Sequence, residues 1–375
     1  MAAVPFARPG RLLVAGTAVL LTGLVLGTPA GGARTSAAST GTVTPGRPAA
    51  LALARGGRLY IGDAGRNEIL EWVASRGFRL IAGTGAAGLT GDGGPAASAE
   101  IDDPDSLVVT SDGTLYFAQT GRYRAPVSSS GGMRNTVIRE ITPAGTIRTI
   151  AGLHPSCASG PVRSIPAESA LFYGASLSLS PSGALAVDAS LCVGEPTGPG
   201  FGPNLLLTSS GRFVKETSNP VPAVASVACG SGVPGRGFHV FACESGGARA
   251  GHPHPKELLV VRSDGSSVAH PAFRLGEFAV GDGEVVSTYD LGLVRVTRSR
   301  LVPLLTHREL RRALRTRLIW DLLAPAVDSH GDIYFVASIE NPMRSGCQSL
   351  ILERTARGAI RRIWASPASH NEICY

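Results

Sequence analysis

Short apolar runs that each open with a turn glycine recur along most of this chain. Each run holds aliphatic, aromatic or β-branched residues, and turn-forming residues lie on either side of it. Runs of this length and composition are typical of β-strands rather than of helices. Six of them are found, at 57–61, 113–117, 183–187, 237–241, 283–287 and 331–335.

The order of the apolar runs is the same from unit to unit. One run precedes the glycine, as at 51–54, a third follows it, as at 68–73, and a fourth closes several units, as at 77–81. Four short strands in each of six units predict an all-β fold, a six-bladed β-propeller of four-stranded antiparallel blades. Radial stacking buries both faces of every sheet, which one sheet alone cannot do. The fourth run is degenerate in units four and five.

The ring is predicted to be one domain at residues 47–375, although 375 residues would ordinarily suggest two or three domains. A hydrophobic content of 43% can fill its core. The predicted blades span 47–83, 102–152, 171–217, 222–270, 272–305 and 317–365, and residues 366–375 form a C-terminal tail.

A separate pattern precedes the repeats. Arg8 and Arg11 come before an apolar run at 12–27, and small residues follow it at 28–30. This is the pattern of a signal peptide, and the run is shorter than the roughly 20 residues that a spanning helix needs. We therefore predict a signal peptide at 1–30, a flexible spacer at 31–46 and export by the Sec route to an extracellular location. An uncleaved anchor is the alternative.

The connector after the first unit carries the most specific motif. Residues 82–96 read Ala-Gly-Thr-Gly-Ala-Ala-Gly-Leu-Thr-Gly-Asp-Gly-Gly-Pro-Ala. Together with Asn67, Asn135 and the strand at 113–117, this text resembles the linker and strands of NHL-repeat propellers. The resemblance implies a six-bladed propeller that acts as a binding platform, in a superfamily that also includes lactonases and lyases. The literal Gly-x-Gly-x-x-Gly at 83–88 is not interpreted as a dinucleotide site, because the glycines and the proline at 91–95 argue against the helix that such a site needs.

The charge pattern points away from nucleic acid. Only 17% of residues are charged, and Lys215 and Lys256 are the only lysines among 35 basic residues. The net charge of +7 is compatible with an anionic cell-surface partner but does not require one. The predicted partners are an extracellular protein, a glycan or a cell-wall component, with no nucleic acid and no stable membrane insertion after signal cleavage.

Two groups of acidic residues are candidate metal ligands. Asp92, Asp102, Asp103 and Asp105 surround the glycine-rich linker, where they suit either a hard cation or tight turns. On the second strands, the residues six after each anchor glycine form no ring of ligands. They are Asp63, Gln119, Ala189, Cys243, Tyr289 and Ala337. If the strand register differs by one residue between blades, the neighbouring positions Asp188, Glu244 and Asp290 join this set. The sequence therefore predicts no cofactor, with a divalent metal held by Asp63, Asp188 and Asp290 as the alternative.

Loop lengths indicate which face of the ring binds a partner. The loops between second and third strands are long in four units, at 120–134, 190–203, 244–255 and 339–348. They open on the same face as the connectors between blades, and binding residues concentrate on loops of a rigid scaffold. The candidate binding residues are Arg122, Tyr123, Arg124, Phe201, His252, His254, Asn341 and Arg344. The alternative is that these insertions have no role.

Six cysteines follow the predicted signal peptide, and in an exported protein they are expected to form disulfide bonds. Loop positions make Cys157–Cys192 and Cys347–Cys374 reachable pairs, which leaves Cys229–Cys243. That last pair is doubtful, because a simple hairpin is expected to put the two cysteines at opposite strand ends, beyond the roughly 7 Å limit on Cα separation.

One short helix is predicted between blades five and six. Thr306 and Glu309 form a capping box, and Leu310, Ala313 and Leu314 make an apolar stripe, so the helix is expected at 307–316. Its arginine face is either a solvated surface or a site for teichoic acid, phosphate or anionic lipid.

The function expected from these patterns is that of a secreted propeller, a binding or scaffold module that uses its long-loop face. No nucleophile motif is present, which leaves catalysis unsupported. The alternative is a metal-dependent lactonase, hydrolase or lyase with its site in the central channel.

Overall fold

The computed structural model describes residues 43–120, 136–153, 164–180, 182–191, 200–201, 205–215, 227–229, 233–245, 256–272, 275–281, 284–316, 318–340 and 347–367. Strands occupy most of this part of the chain, as the recurring apolar runs predict. No helix in the described ranges is long and apolar enough to cross a membrane.

The first three sheets follow one another along the chain. The first consists of β1 (Pro48–Ala54), β2 (Arg58–Asp63), β3 (Glu68–Val73) and β4 (Gly77–Ala82), and the second of β5 (Pro104–Val109), β6 (Leu115–Gln119), β7 (Val137–Ile141) and β8 (Ile147–Ala151). The third contains β9 (Ser164–Pro166), β10 (Phe172–Leu179), β11 (Leu185–Leu191), β12 (Gly200–Phe201), β13 (Leu205–Leu207) and β14 (Arg212–Lys215).

Three further sheets complete the ring. The fourth contains β15 (Val227–Cys229), β16 (Val233–Gly235), β17 (Phe238–Ser245), β18 (Lys256–Arg262) and β19 (Ser267–Ala272), and the fifth β20 (Leu275–Gly281), β21 (Glu284–Tyr289), β22 (Gly292–Val296) and β23 (Leu301–Leu305). Helix α1 (His307–Leu314) follows, and the sixth sheet is β24 (Ile319–Val327), β25 (Ile333–Glu340), β26 (Cys347–Arg354) and β27 (Ile360–Ala365).

The sheets are antiparallel, and their strands follow chain order except in blade three, where β9 pairs with the outer strand β14, and in blade four, where β15 and β16 both pair with β17. First strands of neighbouring sheets contact one another, as β1 does with β5 and with β24. First strands that meet in this way surround the axis of the ring, and the later strands of each sheet lie further out. The predicted six-bladed β-propeller is therefore confirmed, with β1, β5, β10, β20 and β24 around a central channel. The degenerate fourth runs of blades four and five form the regular strands β19 and β23.

The ring closes by packing between the last blade and the first. Leu51 and Ile61 of blade one share a buried cluster with Ala326 and Val336 of blade six. Among the described residues, the strands of blades one and six each come from one stretch of chain, so hydrophobic contact between the two sheets joins the ends of the ring.

The connectors into blades two and three have the same structure. After blade one, the N–H of Gly93 donates to Ile147 of β8 (2.8 Å), and after blade two, β9 pairs with β14. A short 3₁₀ turn follows Pro95 in the first connector and Pro166 in the second. The text Pro-Ala-x-Ser-Ala occurs at both 95–99 and 166–170. The second half of the linker motif is thus repeated, although the glycine-rich half is not.

Asp92 of the first connector has a structural role. It accepts a hydrogen bond from Arg139 (2.6 Å), a fully buried side chain of β7, and a second one from the N–H of Thr149 (2.8 Å). Arg139 also donates to the carbonyl oxygens of Thr90 and Glu100. Because these bonds occupy both carboxylate oxygens of Asp92, the turn interpretation of this acid explains its surroundings better than a cation site.

Helix α1 has the predicted capping box but differs from its prediction in two ways. It ends at Leu314 rather than at 316, because Arg315 adopts a left-handed conformation (φ 52°) that terminates the helix. Leu310 is fully buried and Leu314 packs beside it, whereas Ala313 is exposed, so the predicted three-residue stripe is wrong at Ala313.

Candidate functional site

The first strands bend at the same end of the channel. In β1, β5, β10, β20 and β24 the pairing with the second strand is interrupted by a bulge close to the start of the first strand. Bulges redirect side chains and are common beside active sites. In blade two the extra residue is Asp105, and in blade five the bulge contains Glu277. We refer to these two carboxylates, with Asp321 of β24, as the channel site.

Glu277 lies in the wall of the channel. Water reaches its side chain. Even so, the surrounding protein and, to a smaller extent, the negative charges of Asp321 and Asp105 together raise the pKa of this carboxyl to about 7. Its Oε2 accepts a hydrogen bond from the N–H of Ala324 in the neighbouring blade (2.7 Å), which favours the ionised form. At neutral pH the group therefore populates both protonation states.

Ala324 holds that N–H in an unusual backbone conformation. Its φ of 49° lies in the left-handed region, in a second bulge of β24 between Leu323 and Ala326. A residue with a Cβ pays roughly 1 kcal/mol or more to adopt this conformation, and such residues cluster at functional sites. The strained residue supplies a hydrogen bond to Glu277, so it contributes directly to the channel site.

Asp105 is the second acid with a shifted pKa. Burial raises the pKa of this half-buried carboxyl to about 6, a hydrogen bond with Thr120 opposes the shift, and the charge of Asp103 adds to it. Its Oδ1 atom is buried and makes no hydrogen bond.

The two carboxyls belong to opposite blades of the ring. Blades two and five are opposite members of a six-membered ring, and both acids lie on first strands. The charge interaction between Asp105 and Glu277 therefore runs across the channel rather than along a sheet. Asp321, on blade six, approaches Glu277 from the side, and its Oδ1 accepts the N–H of Leu322 (2.8 Å).

The channel site lies at the loop-bearing end of the ring. Pro104, next to Asp105, pairs with Gln119, the last residue before the long loop at 120–134. In blade five, Leu275 pairs with Tyr289, which begins the tight turn between second and third strands. The carboxylates thus share a face with the loops that the sequence singles out, although those loops mostly fall outside the described residues.

The predicted binding residues remain predictions. Seven of them lie outside the described residues: Arg122, Tyr123, Arg124, His252, His254, Asn341 and Arg344. For Phe201 only the backbone is described, and it pairs with Ser190 of β11.

The three candidate axial metal ligands occupy different environments. Asp63 is fully buried and accepts the N–H groups of Gly46, Arg47 and Gly65, which ties the start of the domain to blade one. Asp290 has a left-handed conformation in the turn after β21. Asp188 lies within β11, opposite Ser176, and its side chain is outside the description. Across the described ranges, no three His, Cys, Asp or Glu residues are grouped so that they could hold a metal ion.

The objection to a Cys229–Cys243 pair is wrong. Cys229 lies directly opposite Cys243 in the pairing of β15 with β17. Facing residues of an antiparallel pair have Cα atoms roughly 4.5 to 5.5 Å apart, within the range that a disulfide spans. The inner edge of blade four is split into β15 and β16, and both segments pair with β17, which brings Cys229 into register. Among the described cysteines none is free.

Sequence reasoning missed the channel site because it tested the wrong strand. The search for an axial ring followed the second strands, whereas the first strands line the channel. The available signal was an acid close to the start of a first strand, as in Pro104-Asp105, Gly276-Glu277 and Trp320-Asp321.

The fold places this protein in the class of six-bladed β-propellers. Its overall structure is similar to a streptogramin B lyase structure, with 12% identity, a TM-score of 0.44 and coverage of 88% of this chain and 85% of that chain. It is also similar to virginiamycin B lyase from Staphylococcus aureus (13% identity, TM-score 0.41, 84% and 83%) and to the PQQ-bound aldose sugar dehydrogenase from Streptomyces coelicolor (13%, 0.40, 79% and 90%). At such values the likeness concerns the fold alone.

No protein-family model matches the sequence, and no curated protein does either. The resemblance to the NHL-repeat family therefore stays a prediction that rests on the linker text and the strand order.

Proposed function

We propose that this propeller is an enzyme that performs acid–base chemistry on a small substrate at the channel site. The observation that carries the proposal is that Asp105 and Glu277 both lie in bulges of first strands, on opposite blades, and that burial raises their pKa values to about 6 and about 7. Acid–base catalysts work best when their pKa lies near the working pH. Perturbed carboxyls in a cavity are accordingly candidates for catalytic roles.

The two carboxyls suit complementary roles. With pKa values of about 6 and about 7, Asp105 is mostly ionised near neutral pH while Glu277 keeps a proton part of the time. The ionised member can remove a proton from water or from a carbon next to a carbonyl group. The protonated member can donate its proton to an oxygen that gains charge. Hydrolysis of an ester or lactone, or an elimination by a lyase, needs this pairing of base and acid.

A second candidate function is ligand binding without catalysis, as an extracellular binding or scaffold module. The observation in its favour is that the channel site shares its face with the long loops between second and third strands. A protein, glycan or cell-wall ligand held by those loops would cover the mouth of the channel. The two functions predict different outcomes for the same variants, because a binding module does not turn over a substrate.

Export and disulfide bonding are part of the proposal. A signal peptide at 1–30 would deliver the domain to an oxidising compartment, where Cys229–Cys243, Cys347–Cys374 and Cys157–Cys192 would form. The direct pairing of Cys229 with Cys243 supports the first bridge. Gln348, next to Cys347, donates to the carbonyl oxygen of Ser366 (2.7 Å), so the chain passes close to Cys347 at the first residue of its C-terminal tail.

The test is a hydrolysis assay with purified residues 31–375 on δ-gluconolactone and p-nitrophenyl acetate between pH 5 and 8.5. The enzyme proposal expects Glu277→Gln and Asp105→Asn to lower kcat/KM by roughly 10² or more. Glu353→Gln is the matched control, because burial also raises the pKa of Glu353 but this acid pairs with Arg361 on the outer part of blade six. Equal activity in the wild type and both channel variants would contradict the enzyme proposal, and absence of turnover with tight binding to cell-wall fractions would favour the binding module.

A further inference from the structure

Helix α1 presents a strongly basic surface between blades five and six. Arg308, Arg311, Arg312 and Arg315 are all exposed, and they lie within eight consecutive residues. These four positive charges are a large local excess, since the net charge of the whole chain is +7. We call these four arginines, with the exposed Leu318 and Trp320 that follow them, the basic patch.

The packing of α1 fixes this surface in place. Leu310 is fully buried in the cluster that contains Leu305, Ile319 and Leu322, so the opposite side of the helix must point to solvent. The capping box orders the first turn, since Thr306 accepts from the N–H of Glu309 and Glu309 accepts from the N–H of Thr306 (2.8 Å). The arginines are therefore displayed on a rigid element.

Neighbouring acids do not neutralise the patch. Glu309 is the one acidic residue of the helix, and its carboxylate is engaged by Thr306, whose hydrogen bonds hold its pKa below the ordinary value. Among the described residues, no ion pair involves Arg308, Arg311, Arg312 or Arg315. Four positive charges against one negative charge face the solvent.

Two large apolar side chains adjoin these charges. Leu318 is 47% exposed and Trp320 is 41% exposed, whereas Ile319 between them is buried. The hydroxyl of Thr316 donates to the carbonyl oxygen of Leu318 (3.2 Å), which orders the turn that carries Leu318 outward. Leu318 and Trp320 thus lie on one side of the chain, directly after the basic helix.

We propose that the basic patch docks on an anionic lipid surface. A basic helix beside exposed Leu and Trp has the composition of elements that lie in the membrane interface, where guanidinium groups meet headgroups and apolar groups enter the acyl boundary. A soluble polyanion would use the arginines but would gain nothing from Leu318. This docking is peripheral and does not rest on the proposed function, although Trp320 directly precedes Asp321 of the channel site on β24.

The test is co-sedimentation of the purified domain with vesicles of phosphatidylcholine and phosphatidylglycerol at 3:1, and with vesicles of phosphatidylcholine alone. Wild type is expected to bind only the anionic vesicles. Each basic residue near an anionic surface contributes roughly a fivefold factor, so replacement of all four arginines by Gln is expected to weaken binding by about 600-fold. Leu318→Ser is expected to weaken it several-fold.

A charge-matched control separates the patch from general electrostatic attraction. Arg55, Arg76, Arg300 and Arg357 are exposed residues in turns at the opposite face of the ring, and their replacement by Gln removes the same charge. This variant is expected to bind like wild type. Equal weakening in both quadruple variants would overturn the proposal. A second result would also overturn it: the Leu318→Ser variant binds vesicles like wild type, and soluble polyphosphate abolishes vesicle binding. That result would assign the patch to a soluble polyanion.

Discussion

Replacement of Glu277 by Gln should change how the stability of the domain depends on pH. In the folded protein the pKa of Glu277 is raised from its ordinary value of 4.5 to about 7 by burial and by the charges of Asp321 and Asp105. A carboxyl whose folded-state pKa is raised favours folding most when it is protonated. The wild type should therefore lose stability as pH rises from about 4.5 to about 7, and Glu277→Gln should not show this loss.

The size of the effect follows from the same values. Each pH unit between folded and unfolded pKa corresponds to about 1.4 kcal/mol, which would give about 3 kcal/mol for a fully buried group. Water reaches Glu277, and screening reduces the effect, so we expect about 1 to 1.5 kcal/mol. At pH 7.5 the Gln variant should be more stable than wild type by this amount, and at pH 4.5 the two should be nearly equal.

Urea unfolding at intervals between pH 4.5 and 8 provides the measurement. Asp105→Asn serves as a coupled variant, because loss of the opposite charge should move the wild-type transition to lower pH. Asp112→Asn serves as a control of opposite sign, since hydrogen bonds from Thr110 and Thr114 lower the pKa of Asp112. A constant stability difference between wild type and Glu277→Gln at every pH would refute the assignment of a raised pKa to Glu277.

Three further outcomes follow from the described contacts. Asp92→Ala should cost about 2 to 3 kcal/mol in urea unfolding, because buried Arg139 loses a charged partner, and Asp92→Asn, which keeps an acceptor, should cost less. Thr306→Ala should cost about 1 kcal/mol through loss of the cap, seen as faster amide exchange in α1, whereas Thr306→Ser should not. Peptide mapping without reduction should recover Cys229 linked to Cys243, and recovery of either one with a different cysteine would contradict the pairing.

The fold was predictable because a propeller repeats its local signals. A glycine precedes each second strand, and the apolar runs that form β1, β2 and β3 of blade one recur in the same order in the later blades. Where the signal is weak, neighbouring strands impose the structure: β19 and β23 form because β18 and β22 offer an unpaired edge, whatever the text of the fourth run. The repeat of Pro-Ala-x-Ser-Ala at 166–170 was also readable, but it lacks the glycines that made the first linker conspicuous.

The channel site was harder to predict because its geometry depends on features that leave no mark in the sequence. Asp105 and Glu277 are far apart in the chain, and only the closure of the ring brings them to opposite sides of one channel. Each lies in a bulge, and a bulge shifts the alternation of inward and outward side chains by one residue, so counting from an anchor glycine fails there.

The left-handed Ala324 is a further feature of the channel site that the sequence does not signal. A glycine at this position would have suggested an irregular backbone, whereas alanine gives no such signal and carries the conformation at a cost. The bulge between Leu323 and Ala326 turns the N–H of Ala324 away from the sheet and towards Glu277, a side chain of another blade. A backbone that only served the sheet would gain nothing from this arrangement. The strain at Ala324 is therefore the cost of holding a hydrogen-bond donor against the Glu277 carboxyl.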